Sequence, residues 1–200
     1  MLPILYKGEF MLKPFGIKRY IFPQPALLIS TYNDDHSINV MTLAWGNIVE
    51  EKEVTLTIDE NHKTFNNILK NRAFTVTIGT LNLIKELDYF GIVSGNDNPN
   101  KFNNTKLTYS NSDLVNAPII NESRIVLECE LKQVESENYG KKVIGTIKNV
   151  LIDEIVLNES NKVDVNKLET LAYSPFDSSY YLVNTFVGKA WNIGKEFINK

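Results

Sequence analysis

The sequence predicts a mainly β fold, an antiparallel barrel carrying two or three peripheral helices, and three observations predict it. Apolar residues alternate with period two through about seven short runs, as strands with a buried face do. Clusters of Asn, Asp, Ser and Gly separate these runs at hairpin distances. Helical stretches are few and do not alternate regularly with strands, which argues against a doubly wound parallel sheet.

In chain order, Ala26–Tyr32 is a β-prone apolar run, Asn33-Asp34-Asp35-His36-Ser37 a polar turn, and Ile38–Trp45 a second strand. Together they read as a hairpin. Val54, Leu56 and Ile58 then share one strand face. A helix is expected over His62–Asn71, with Phe65, Ile68 and Leu69 on one stripe and Asp59 or Asn61 placed to cap its start. Strand Ala73–Gly79 aligns Phe74, Val76 and Ile78, and a second helix near Asn82–Phe90 aligns Leu83, Leu87 and Phe90. Gly91–Asn104 is a long polar stretch, of a kind that in a compact domain is usually functional or disordered. Ile125, Leu127, Cys129 and Leu131 face one way and Glu128, Glu130 and Lys132 the other. That strand meets Val143–Leu157 through a turn at Asn138-Tyr139-Gly140. The tail, Phe186–Ile198, spaces Val187, Ala190, Trp191, Gly194, Phe197 and Ile198 as a final amphipathic helix.

The 200 residues suffice for one domain with a real core, and no repeat, charge block or low-complexity linker divides them. Residues 1–200 are therefore expected to form a single domain. An apolar fraction of 43% against 22% charged argues against disorder. A net charge of −3 gives no bulk attraction for nucleic acid. The lone Cys129 excludes an intramolecular disulfide and a CxxC pair, and its apolar strand face makes it a buried thiol. No run approaches the roughly 18–20 apolar residues of a membrane helix, and the N-terminus lacks a signal-peptide pattern. A soluble, cytoplasmic protein without membrane or nucleic-acid partners is expected.

No GxGxxG, P-loop, GxSxG or HExxH pattern occurs, and His36 and His62 lack acidic or Cys partners at ligand spacing, so no metal site is expected. Four features carry a functional reading beside a structural one. In Asn39–Asn47 a strand ends in small residues and a Trp, which lets a ligand plane approach the backbone or simply packs a barrel strand. Asn61-His62-Lys63-Thr64 gathers free N–H groups, a hydroxyl and two basic side chains at a helix start; this suits a phosphate, or is an ordinary first turn. Ser94-Gly95 with Lys101-Phe102 is a phosphate-side loop or a solvated one. Tyr173, Phe176, Tyr180, Tyr181 and Trp191 form an aromatic set that serves a cofactor, the core or an interface.

In this order, from about Pro25 to Lys195, the features resemble the flavin reductase-like family, especially its flavoredoxin branch. The resemblance is carried by Pro25–Thr31 leading into Asn39–Trp45, by His62–Ile68, and by Asp88–Gly95 with Lys101-Phe102. Ala117-Pro118, Leu127-Glu128-Cys129 and the Tyr181 to Gly188-Lys189-Ala190 tail continue it. It implies an FMN-binding split β-barrel, antiparallel and Greek-key, usually a homodimer with flavin near the subunit interface. It further implies an oxidoreductase that takes hydride from NADH or NADPH and passes electrons to free flavin, a partner protein or another acceptor. The alternatives are a non-enzymatic flavin-binding electron carrier and a small-molecule-binding barrel.

By position the resemblance places Asn39, Thr42, Leu43, Ala44 and Trp45 along the isoalloxazine and His62, Lys63, Thr64 and Asn67 at phosphate or ribityl. Ser94, Gly95 and Lys101 would close the phosphate side, and Tyr173 would lie over the ring. The stretch from Gly95 to Lys101 runs one residue longer than usual and contains Pro99. Tyr139 and Lys141 stand where relatives often carry a His, which leaves the nicotinamide side unassigned. No catalytic side chain is expected, because the chemistry belongs to the flavin.

Overall fold

The computed structural model describes residues 12–137 and 140–198. A seven-stranded antiparallel sheet forms its body. The strands in chain order are β1 (Gln24–Pro25), β2 (Leu27–Tyr32), β3 (Ile38–Leu43), β4 (Gly46–Glu50), β5 (Glu53–Ile58) and β6 (Ala73–Ile78). Then follow β7 (Tyr109–Asn111), β8 (Pro118–Ile120), β9 (Ile125–Glu137), β10 (Gly140–Ile152), β11 (Leu171–Ser174) and β12 (Ser179–Leu182). Helices are α1 (Lys63–Asn71), α2 (Ile84–Ile92) and the single turn α3 (Val165–Leu168).

The large sheet runs β3-β2-β6-β9-β10-β5-β4. Its edge strands β3 and β4 are separated in the chain by Ala44 and Trp45 alone, so the sheet must roll until its edges meet. Thr57 N–H on β5 donates to the Trp45 carbonyl at 2.8 Å, which carries the β4–β5 pairing into that two-residue link. The expected barrel is thus observed, with a smaller β1-β11-β12 sheet and a β7-β8 hairpin beside it.

Alternation puts Leu27, Ile29, Met41, Leu43, Val54, Leu56, Phe74, Val76 and Cys129 into one core inside the barrel. The other faces of β2 and β3 bury Leu28, Ile38 and Val40 under Leu83, Leu87, Phe90 and Phe102. α1 closes one end of the barrel. Its buried side chains are Thr64, Phe65, Asn67 and Ile68, an apolar pair and a polar pair on adjoining rows. Burial of Phe65 and Ile68 contributes about 1.5–3 kcal/mol each, while Thr64 and Asn67 are carried down onto the polar rim of β2 and β3.

Several expectations are corrected. The tail is no amphipathic helix: only a 3-10 turn forms, at Ile193–Phe197, and Phe186, Val187, Trp191, Phe197 and Ile198 all stay exposed. Gly188 and Gly194 weaken helix formation, and Trp191 sits at φ +54°, outside the helical region. Leu69 is exposed, so the α1 stripe ends at Ile68. Neither Asp59 nor Asn61 caps α1; His62 occupies the cap without a side-chain bond, and Asp59 instead accepts from Asn61 N at 2.9 Å in a local turn. The strand expected to run to Trp45 stops at Leu43, where the chain turns into β4. The strand expected to run to Leu157 stops at Ile152, before a 3-10 turn at Glu154–Val156. Glu128 faces away from the barrel interior as expected, yet it is buried, accepting from Ser112 Oγ and from Asn149 Nδ2 at 2.8 Å. Asn138 and Tyr139, of the expected turn, lie outside the described residues.

Candidate functional site

The polar rim at the α1 end of the barrel begins with a strand pair. Thr31 on β2 stands opposite Asn39 on β3, and period two aims both into the barrel end that α1 covers. Asn39 Nδ2 donates to Thr31 Oγ1 at 3.3 Å and to Thr64 Oγ1 at 2.8 Å. Asn67 Nδ2 donates to the same Thr31 oxygen at 3.1 Å and to Asn33 Oδ1 at 3.0 Å. Because Thr64 Oγ1 accepts from Asn39, its own hydroxyl proton is left to donate outward, into the cleft beside it.

That cleft has two connected chambers. The inner one, about 170 Å³, is lined by Asn39, Thr42, His62, Lys63 and Thr64 on one side and by Phe90–Gly95 and Lys101 on the other. The outer one, about 540 Å³, is lined by Arg19, Met41–Trp45, Thr57, Asp59 and His62. Met41, Thr42 and His62 belong to both. Thr42 Oγ1 donates to the Leu87 carbonyl and fixes α2 against β3 at the junction.

The inner chamber gathers backbone donors and positive charge. The first N–H groups of α1, at Lys63 and Thr64, precede any intrahelical acceptor. Gly95 comes so close that a Cβ there would lie 2.4 Å from Asn39 Oδ1, so only glycine lets this backbone reach the rim. The loop is held by Asn96, whose Nδ2 donates to the Asn61 carbonyl at 2.8 Å, and by Asn33, which donates to the Pro99 carbonyl at 3.4 Å. The longer Gly95–Lys101 stretch is therefore ordered, and it returns Lys101 to the chamber wall.

Lys101 is 2% exposed. Its ammonium donates to the Val93 carbonyl at 2.6 Å and the Phe90 carbonyl at 3.3 Å, at the C-terminal end of α2 where a cation is favoured. Among the described residues it has no carboxylate partner. Burial pushes its pKa down to about 8. An ammonium has three donors and carbonyls take two, so a charge and a donor remain for a group in the chamber.

Of the sequence-predicted residues, the structure brings Asn39, Thr42, Leu43, Ala44, Trp45, His62, Lys63, Thr64, Ser94, Gly95 and Lys101 to these two chambers. Asn39 stands at the inner chamber with Thr64. Asn67 lies behind, reaching the cleft only through Thr31 and Asn39. Tyr173 lines neither chamber; it stands in the small sheet, half-buried, with its ring 6.0 Å from that of Tyr180. Cys129 is buried, with its pKa pushed up to about 12 by burial and by Glu128, as the inert thiol expected. Sequence reasoning missed Arg19, Met41, Thr57 and Asp59 in the outer chamber and Thr31 beneath the inner one. A hydroxyl on the inward face of β2 was a usable signal for Thr31; Arg19 had none. Among the described residues no cluster suits a metal ion, and no helix is long and apolar enough to cross a membrane.

A family model described as "Flavin reductase like domain" matches residues 18–174. Among solved structures, the flavoredoxin of Desulfovibrio vulgaris (Miyazaki F) is 30% identical, with 92% of this chain and 100% of that one covered at a TM-score of 0.86. Flavoredoxin from Methanosarcina acetivorans is 25% identical, covering 93% and 100% at 0.82. A Shewanella frigidimarina NCIMB 400 structure described as having a split barrel domain shares the fold at 20% identity, covering 84% and 86% at 0.74. No curated protein matches the sequence.

Proposed function

The chain belongs to the flavin reductase-like family, and from that premise we propose that it is an FMN-binding oxidoreductase that takes hydride from NADH or NADPH and passes electrons to free flavin, a partner protein or another acceptor. The observation that carries the reading is Lys101, a buried cation with no carboxylate partner among the described residues, lining one chamber with Thr64 and the start of α1. A phosphate supplies the missing negative charge, and charge-assisted hydrogen bonds of this kind are the strong ones.

FMN, once bound, supplies the electron-accepting ring; the protein supplies binding and orientation. Thr64, Lys101 and the α1 N–H groups hold the phosphate, and Gly95 lets the backbone approach it. Thr42 to Trp45 then offer a wall for the ring in the outer chamber, whose volume lies in the range of about 300–1,000 Å³ usual for cofactor sites. Asn39 and Asn67 orient Thr64 and Thr31 from behind.

We also propose a homodimer. Phe15, Tyr20, Phe176, Phe22 and Tyr181 form a continuous exposed aromatic path, each ring 4.8–5.9 Å from the next. These rings stay 41–70% exposed in the single chain, so they form a contiguous aromatic surface of the kind a second copy covers.

Titration with FMN and with riboflavin tests the cofactor reading. Each charge-assisted hydrogen bond lost costs about 1.5–3 kcal/mol, so loss of the whole phosphate is expected to weaken binding at least about a hundredfold. Equal affinity for the two flavins would overturn the assignment. Anaerobic mixing with NADH and NADPH then separates the enzyme, bleached within seconds, from a carrier that stays yellow.

A further inference from the structure

The outer chamber holds a cation that the cofactor reading leaves unused. The guanidinium carbon of Arg19 lies 5.3 Å from the centroid of the Trp45 ring, on the chamber wall. Among the described residues it makes no ion pair or hydrogen bond. Asp59, the acid on the same wall, has its Oδ1 taken by Asn61 N and Nδ2, both at 2.9 Å. Lys141, the nearby cation of β10, is paired with Glu60 at 2.9 Å.

A guanidinium held over an indole face by a cation–π contact still has its N–H donors to offer. That contact also restrains a long, flexible side chain, whose planar fork suits a bidentate oxyanion. The phosphate of FMN is accounted for at the opposite end, by Lys101, Thr64 and the start of α1. An anion taken by Arg19 would therefore be a second one, carried by a molecule that reaches the ring wall from outside.

We infer that Arg19 is the residue that selects the electron donor, taking a phosphate of a nicotinamide dinucleotide at the mouth of the outer chamber. The inference rests on the flavin reading above. Arg19 moves no proton or electron; it holds the donor while hydride passes from the dihydronicotinamide, which leaves oxidised, to the bound flavin. The dinucleotide offers two sources of the same chemistry, the pyrophosphate common to both coenzymes and the 2′-phosphate of NADP alone.

The test uses the full chain loaded with FMN and the non-reacting probes NADP⁺ and NAD⁺, with binding measured by calorimetry. FMN affinity is measured first for the parent, Arg19→Gln and Arg19→Lys, and is expected to agree within about twofold. Arg19→Gln is expected to bind the probe about ten- to a hundredfold more weakly, and Arg19→Lys to recover part of the loss, since it restores the charge without the fork. An equal loss for both probes assigns the pyrophosphate, and a loss for NADP⁺ alone assigns the 2′-phosphate. In stopped-flow reduction by NADPH or NADH, Arg19→Gln is expected to raise the half-saturating concentration and leave the limiting rate unchanged. Unaltered probe affinity in Arg19→Gln overturns the inference, as does a loaded parent that binds neither probe at millimolar concentration. A parent that fails to bind FMN overturns the reading beneath it instead, and the first titration tells the two failures apart.

Discussion

Asn39 Nδ2 donates to Thr64 Oγ1 at 2.8 Å, with both side chains buried at the barrel end, and this bond holds the Thr64 hydroxyl as an acceptor while leaving its proton to donate elsewhere. The residues are 25 apart in the chain, on β3 and on α1, so the bond exists only because the helix docks on the strand.

The first prediction follows from that bond. Asn39→Ala and Thr64→Val are each expected to weaken FMN binding about tenfold, and the double variant no more than the worse single one. Contacting residues of one network couple by about 0.5–3 kcal/mol. Fluorescence titration of the four proteins checks it, and strictly additive losses would mean that Asn39 does not act through Thr64.

Lys101 gives a pH dependence whose sign is fixed. Its pKa in the folded, empty protein is about 8, against an ordinary 10.5. Between those values the folded chain holds fewer protons than the unfolded one, so its contribution to stability rises with pH through that window and is unfavourable below it. A bound phosphate reverses the balance by favouring the charged form. FMN affinity is therefore expected to fall above pH 8 by up to about tenfold per unit, a range in which the phosphate itself is already fully ionised. Riboflavin affinity should stay flat, and Lys101→Gln should bind FMN more weakly with no slope. Parallel FMN and riboflavin curves between pH 7.5 and 9.5 would remove Lys101 from the phosphate site.

The aromatic path predicts the oligomeric state. Light scattering at micromolar concentration is expected to give twice the 22.8 kDa of one chain. Phe22→Glu with Phe176→Glu, both at exposed positions, is expected to give the single-chain mass with an unchanged circular dichroism spectrum. A parent that scatters as a single chain would leave the path without its second copy.

Much of this was legible in the sequence because period two is a local signal. The faces of Val54–Ile58 and Phe74–Ile78 needed nothing from the rest of the chain. So were the cleft residues that sit in ordered motifs, Asn39 to Trp45 and His62 to Thr64. Most of what failed depended on distant partners. The tail has helical spacing, but Gly188 and Gly194 and the positive φ of Trp191 interrupt it, and its large apolar residues stay exposed. Glu128 alternates outward like Glu130, yet Ser112 and Asn149 arrive from other segments to cover it. Arg19 reads as one more basic residue in an exposed run until Trp45 is brought beneath it.

The last prediction concerns that tryptophan. The chain has two, and the fold gives them opposite surroundings. Trp45 lines the outer chamber, packed partly against the barrel core, whereas Trp191 is 95% exposed in the tail. An indole on the wall of a flavin site lies within easy energy-transfer and electron-transfer reach of the ring, so FMN should quench Trp45 nearly completely. Trp191 should lose less. In the parent, FMN is thus expected to remove the blue-shifted part of the emission and leave a red-shifted remainder from the solvated tail. Trp45→Phe should lack the blue component before any FMN is added, and its remaining emission should change little on titration. Flavin fluorescence followed in the same titration shows whether binding persists, so a weak quench is not mistaken for weak binding. If Trp45→Phe binds FMN and its emission still falls as steeply as the parent's, the ring lies away from Trp45 and the outer chamber is not where the flavin sits.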